Sequence, residues 1–144
     1  MGSEVLRRFA IDYIRRARAR LVGAEAALAR GDYPEIVRYS QECVELSLKA
    51  ALRFTGIEYP RVHDVSDVLV ENADRFPKWF RRIAGELVLT SSKLALARGP
   101  SVYGDEERGI PPGELFDRQD AERALRDARR VLDVCSRLIG GSGL

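Results

Sequence analysis

His63 is the only imidazole in 144 residues, and it sits in the fragment His63-Asp64-Val65 just after a Tyr59-Pro60 break. An imidazole can move protons near neutral pH or ligate a metal, but both tasks need partners, and no Cys or second His lies at a spacing that supplies them. A structural or helix-end role is the plainer reading of this residue. Cys43 and Cys135 lie far apart inside apolar stretches, where thiols read as buried and free rather than as ligands or nucleophiles. The remaining chemistry is ionic. Arg38, Gln41, Glu42, Glu45, Lys49 and Arg53 fall within about 120° of one helical wheel, a narrow polar stripe on an otherwise apolar segment. Glu45 and Lys49 have the i, i+4 order that stabilises a helix by roughly 0.2–0.5 kcal/mol. The stripe is either solvated surface or the place where a bundle puts a ligand or partner contact. Nearer the N-terminus, Arg7, Arg8, Arg15 and Arg18 gather on the side away from the apolar arc, with Asp12 and Glu25 partly offsetting them. A phosphate-binding surface has this composition, and so does a helix face held in water. Little aromatic interleaving of the kind that stacks bases is visible beside these arginines.

No complete catalytic motif accompanies these groups. The carboxylate pairs Glu42/Glu45 and Asp117/Asp120 are accounted for by helix caps and solubility. A di-metal bundle needs Glu-x-x-His on two helices, and the chain has none; a glycine-rich phosphate loop and a Ser-His-Asp set are also missing. No metal or cofactor is expected, no catalytic residue is assigned, and an enzyme acting alone is disfavoured.

The chain around these groups is 45% hydrophobic and 32% charged, with a formal charge of +2 from 24 basic and 22 acidic residues. That balance suits a single soluble globular domain over residues 1–144 and gives no general reason to expect nucleic acid. The positive charge is concentrated early: residues 1–30 hold seven arginines against Glu4, Asp12 and Glu25. A single Asn and a single Met in the whole chain suit a thermophile source. No apolar run reaches membrane-spanning length and the first residues carry charges every few positions, so the expected location is cytoplasmic, with no membrane contact.

Helical periodicity predicts the elements that must position the candidate residues. Leu6, Phe9, Ala10, Tyr13, Ala17, Leu21, Ala24 and Leu28 predict a first helix over 4–29, stopped by Gly31. Pro34 opens a second over 34–54, stopped by Gly56, whose apolar and small residues cover about 200° of the wheel; it should be the most buried element. Asp64 is placed to cap a short helix over 64–72. Phe80, Ile83, Ala84, Leu87, Ser91, Leu94 and Ala95 predict a helix over 77–98, with Trp79 packing at one end. Asp117 caps a last helix over 117–139, closed by Gly140 and Gly141, with 142–144 as a tail. Residues 99–116, rich in Gly, Pro and acid, read first as a mobile loop. No stretch alternates as a strand would. The fold class is therefore all-α, an up-and-down four-helix bundle with a short extra helix between helices two and three.

Several strings also resemble a known family. Ala27-Leu28-Ala29-Arg30-Gly31-Asp32-Tyr33, followed by the run from Tyr39 through Gln41, Glu45 and Lys49 to Ala50, is similar to the HEPN domain of prokaryotes, whose second helix bears a Gln, a Glu and a Lys-Ala at this spacing. His63-Asp64-Val65 resembles the histidine after that helix, Arg98 to Tyr103 the Arg/Tyr segment after helix three, and Asp120-Ala121-Glu122 the start of the last helix. The resemblance implies a helical bundle that is often a homodimer. It also implies a partner, a small nucleotidyltransferase with which the domain forms a toxin and antitoxin pair, and contact with a nucleotide or RNA. Many members are ribonucleases carrying an Arg followed four to six residues later by a His near the last helix. This chain has no histidine after His63, so those nuclease residues do not carry over. What transfers is the set Gln41, Glu45, Lys49 and His63, as candidates for ligand or partner binding, with Arg7, Arg8, Arg15 and Arg18 as a separate basic face. The function that follows is a non-catalytic, dimeric HEPN-type binding module, the alternative being a ribonuclease with an atypical site.

Overall fold

The computed structural model of the chain describes residues 2–140; Gly141 and the tail 142–144 lie outside them. Its helices are α1 (Ser3–Arg30), α2 (Tyr33–Thr55), α3 (Ser66–Glu71), α4 (Lys78–Tyr103), α5 (Pro112–Leu115) and α6 (Arg118–Ile139). A single 3-10 turn, Ala73–Arg75, precedes α4, and among the described residues no strand forms. α1, α2, α4 and α6 make the all-α bundle, with α3 as the short extra helix between the second and third long ones. No helix among the described residues is long and apolar enough to cross a membrane.

Local chemistry explains where the helices stop. α1 ends at Gly31, whose φ of 72° lets the amides of Gly31 and Asp32 donate to the carbonyls of Leu28 and Ala27 (3.1 and 3.0 Å). A left-handed residue at this position satisfies carbonyls that the helix leaves unpaired, and glycine adopts it without a Cβ penalty. With only Gly31 and Asp32 between them, α1 and α2 must turn back on each other. α1 brings Ala10, Ala17, Ala24 and Ala27 to that contact, all fully buried. α6 opens with reciprocal bonds: the Asp117 carboxylate accepts from the Asp120 amide (2.8 Å), and the Asp120 carboxylate accepts from the Asp117 amide (3.0 Å).

α2 is the central element. Twelve of its residues are buried against ten in α6 and fewer in α1 and α4, and it packs against α1, α4 and α6 together. Leu48, Leu52, Ile14, Leu69, Phe80 and Leu87 are the large side chains of the core. Cys43 and Cys135 are buried and free within it. Burial pushes the Cys43 thiol up to about 12 and raises that of Cys135 as well, so neither is a thiolate nucleophile at neutral pH. Trp79 stands edge-on to Phe80, with the Arg137 guanidinium over its ring at 4.8 Å.

Three local expectations change. The short helix starts at Ser66, and Asp64 lies just outside it, because its carboxylate is drawn to α4 while still accepting from the Ser66 amide (3.0 Å). α4 does not stop at Arg98. It continues through Gly99-Pro100 to Tyr103, anchored by the buried Ser101, whose hydroxyl donates to the Arg98 carbonyl (2.6 Å), and by the contacts of Arg98 with α2. The segment 99–116 has definite structure instead of being a floppy loop: after α4, Asp105 and Ile110 exchange backbone hydrogen bonds (2.8 and 2.9 Å) and α5 follows. Gly104 makes this turn possible, since its φ is 71° and a Cβ there would run into the Ile110 carbonyl.

Candidate functional site

The polar stripe of α2 is not a solvated face. Gln41 is buried, and the side chains of Glu42, Glu45 and Lys49 are only 16%, 15% and 14% exposed. α1, α4 and the loop after α2 close over it. The predicted set Gln41, Glu45, Lys49 and His63 meets at one carboxylate. Glu45 Oε1 accepts from Gln41 Nε2 (3.0 Å) and lies 2.8 Å from His63 Nδ1, while Oε2 accepts from Lys49 Nζ (2.8 Å). The Gln41–Glu45–Lys49 spacing of four residues stacks these groups along one helix face. Burial alone would raise the Glu45 pKa, but the bonds from Lys49, Gln41 and His63, with the Lys49 charge, outweigh it and hold the carboxyl below its ordinary range.

Glu42 is a second node, one turn before Glu45. It accepts from Arg20 Nε of α1 (2.9 Å), Arg98 Nη1 of α4 (2.9 Å) and Arg38 Nε of α2 (3.4 Å). Burial opposes its ionisation, yet the bond from Arg98, the charges of Arg38 and Arg98 and the bond from Arg20 lower its pKa. Gln41 connects the nodes: its Oε1 accepts from Arg98 Nη1 (2.8 Å) while its Nε2 serves Glu45. Both ends of a buried amide are thereby used.

His63 enters from the loop between α2 and α3 with a side chain 59% exposed. Its neighbour fixes that loop: Asp64 accepts from the hydroxyls of Ser91 (2.7 Å) and Ser92 (3.0 Å) on α4. Against burial, the bonds from Ser66, Ser91 and Ser92 lower the Asp64 pKa, which keeps these acceptors ionised. His63, Arg16, Arg20, Glu42, Glu45 and Arg98 line a cleft of about 160 Å³. Beside it, a larger polar cleft of about 690 Å³ is lined by Tyr13, Lys49, Arg53, Tyr59 and Arg61. There Arg53 lies over the rings of Phe9 (4.7 Å), Tyr59 (5.8 Å) and Tyr13 (6.0 Å), and its Nε donates to the Tyr59 hydroxyl (3.4 Å). Burial, chiefly, pushes the Tyr59 phenol up to about 12, whereas a hydrogen bond with Tyr59 lowers that of Tyr13. Aromatic rings interleave with a cation here, away from the Arg7, Arg8, Arg15 and Arg18 face, because folding carries Tyr59 onto Tyr13 from a different segment.

The predicted basic face of α1 does not form one patch. Arg7 turns to the end of α6, its Nη1 donating to the Ile139 carbonyl (2.7 Å), where it serves as a cap. Arg15 pairs with Asp12 (3.1 Å), Arg8 is exposed and Arg18 is half-buried. The arginines of α1 that reach the cleft are Arg16 and Arg20. They flank the apolar arc on one side, but Arg7 and Arg18 flank it about as closely on the other, so the wheel alone does not mark them.

A domain model described as HEPN domain matches residues 10–138, nearly the whole described chain. The chain belongs to the HEPN domain family. The protein of Methanocaldococcus jannaschii named "Putative toxin MJ1304" is 33% identical over 137 residues, covering 85% of this chain and 82% of that protein. Two solved structures share the fold: ST0689, described as an archaeal HEPN homologue (TM-score 0.71, 28% identity, 90% of this chain and 97% of that one), and TT1696 from Thermus thermophilus (TM-score 0.73, 27% identity, 89% and 96%). In this HEPN domain the second-helix string carrying Gln41, Glu45 and Lys49 lies on the central helix, with Gln41 buried and the side chains of Glu45 and Lys49 largely so.

Proposed function

We propose that this HEPN domain is the toxin-type member of a toxin–antitoxin pair, that its small cleft binds a phosphate group of a nucleotide or RNA, and that its protein partner is a small nucleotidyltransferase. The observation that supports phosphate binding is the arrangement of Arg20, Arg38 and Arg98 around the single carboxylate of Glu42. Arg38 also reaches Glu35 (3.6 Å), so three guanidiniums face two carboxylates and leave one positive charge in surplus, and planar guanidiniums suit phosphate oxygens. Arg16 widens that positive rim, His63 adds a ring nitrogen that can hydrogen-bond, and the Tyr13/Tyr59 cleft alongside offers ring faces to a base. Support for the toxin-type role comes from the name of the M. jannaschii relative.

A second reading, RNA cleavage, is favoured by one feature. Glu45 takes the Nδ1 side of an otherwise exposed His63, leaving the other ring nitrogen toward solvent, which is how a proton-transferring histidine is commonly oriented. Here Arg16 and Arg98 would hold the phosphate while His63 moved the proton.

Both readings meet in one experiment. Binding of a fluorescein-labelled single-stranded oligoribonucleotide and of adenosine nucleotides is followed by anisotropy at increasing salt, with intact RNA resolved on a gel in parallel. Arg16→Ala with Arg98→Ala should weaken binding by about tenfold or more, and added salt should weaken wild-type binding steeply. Absence of binding, or binding indifferent to both substitutions and to salt, defeats the phosphate assignment. Cleavage lost in His63→Ala supports the second reading; cleavage undiminished after replacing both His63 and Glu45 removes it. Co-purification with the nucleotidyltransferase encoded nearest the gene tests the partner, and failure to associate counts against the pairing.

A further inference from the structure

The segment that joins α4 to α6 builds a groove that the bundle leaves unfilled. Two cavities, of about 540 and about 290 Å³, share Ala97, Leu115 and Phe116 and so form one continuous trough between α4 and α6, with α5 along its side. Its floor is apolar: Val37, Leu94 and Ala124 are buried beneath it. Alanine at positions 97 and 124 leaves space that a larger side chain would occupy. Leu115 and Phe116 are only half-buried, and both line the trough. The walls are in place before anything binds. Gly104 turns the chain with a φ of 71°, Asp105 and Ile110 exchange two backbone hydrogen bonds, and Pro111 and Pro112 restrict the backbone that enters α5. A preformed groove spares an incoming chain the cost of ordering it.

Charge around the groove is unbalanced in one direction. Each cation at it already faces an acid: Lys93 pairs with Asp127 (2.9 Å), Arg123 with Asp120 (4.0 Å), and the neighbouring Arg108 with Asp105 (3.8 Å). Glu106 and Glu107, exposed on the rim, have no ion pair among the described residues. We propose that this groove docks a peptide segment of a partner protein in which large aliphatic side chains are interspersed with lysine or arginine. The apolar floor takes the aliphatic groups, and the two unpaired carboxylates at the rim take the cations. The trough is open along its outer side, so a small molecule would stay partly in water there, whereas a peptide reaches floor and rim together. The groove shares no residue with the two clefts of the proposed phosphate site, and the two readings stand or fall separately.

Anisotropy of a short fluorescein-labelled peptide alternating leucine with lysine reads the docking on the full chain. The signal should saturate, and added salt should weaken it. Glu106→Lys with Glu107→Lys should weaken binding by about tenfold or more; both positions lie on an exposed turn, and the helical circular dichroism spectrum should be unchanged. Ala97→Trp, which fills the groove without altering its charge, should weaken binding by a similar factor. A peptide with its leucines replaced by serine, or its lysines by glutamate, should not bind. Absence of saturable binding, binding that survives either set of substitutions, or binding retained by the serine peptide would overturn the proposal. Displacement by spermidine as effective as that by the unlabelled peptide would also overturn it, by marking an acidic surface alone. Self-association of the peptide-free chain that Ala97→Trp abolishes would do the same, by giving the groove to a second copy.

Discussion

The stripe of α2 and the outer face of α4 are each the minority face of a long helix, and they have opposite fates. On α2, charged and amide groups leave bulk water and meet one another: Glu42 and Glu45 gather Arg20, Arg38, Arg98, Lys49, Gln41 and His63. On α4, leucines remain in water. The difference comes from the neighbours. α2 is surrounded by α1, α4 and the loop that Asp64 clamps to α4, whereas the outer side of α4 faces none of the other helices. A buried charge is stable only when its partners are complete, so the α2 stripe is intolerant of single deletions. An exposed apolar face costs the isolated chain little and is available to another surface.

The contrast breaks most visibly at Glu45. Glu45→Ala leaves Lys49 largely buried without its counter-charge and His63 without its anchor, and the expected loss is about 2–3 kcal/mol in urea denaturation, from removal of one member of a partly buried network. A loss below about 0.5 kcal/mol, the scale of exposed pairs, would mean that the network is no more than surface.

Acidification titrates the same region as a whole. Glu42, Glu45 and Asp64 all have folded pKa values below their ordinary ones. Each stabilisation is fully present above the unfolded carboxylate range and is lost as pH falls from about 4 through the depressed folded values. Denaturation midpoints should therefore hold steady between neutral pH and about pH 5 and drop below it. Glu45→Gln should make that drop shallower; an unchanged profile would remove Glu45 from the cause.

The smallest effect is expected at the flank of α4. Arg130 pairs with Glu86 at 3.2 Å, and both side chains are about half exposed. Glu86→Ala should change stability by no more than about 0.5 kcal/mol, measured in the same urea titration. The bond lengths in the two regions are similar, so a comparable loss at Glu86 and Glu45 would show that burial is not what separates them.

Much of the architecture was legible because it is written in local codes. Apolar spacing located the four long helices, Gly31, Gly56 and Gly140 located their ends, and Asp117 its cap, since each depends on residues within a turn or two. Leu52, fully buried, falls on the wheel inside the polar stripe, between Gln41 and Glu45, where periodicity alone places no core residue. Gly99-Pro100 misled for a related reason: the pair ends a helix when nothing else holds it, but here the anchoring of Arg98 and Ser101 carries α4 onward. At the site, Gln41, Glu45, Lys49 and His63 were found together, three by helical spacing and the fourth only through resemblance, because no periodicity links position 45 to position 63. Arg16 and Arg20 were passed over for the arginines on the opposite side of the same helix.

What the sequence by itself determined is the four long helices, the glycine stops of the first, second and last, and the centrality of the second one, since hydrogen bonding along the chain and apolar periodicity act over a few residues. Only the tertiary structure decided which polar groups share a carboxylate and which arginines face the cleft. Those pairings join residues 22 positions apart at Arg20 and Glu42 and 56 apart at Glu42 and Arg98, and the packing of whole helices, rather than any local preference, sets how such groups are aimed.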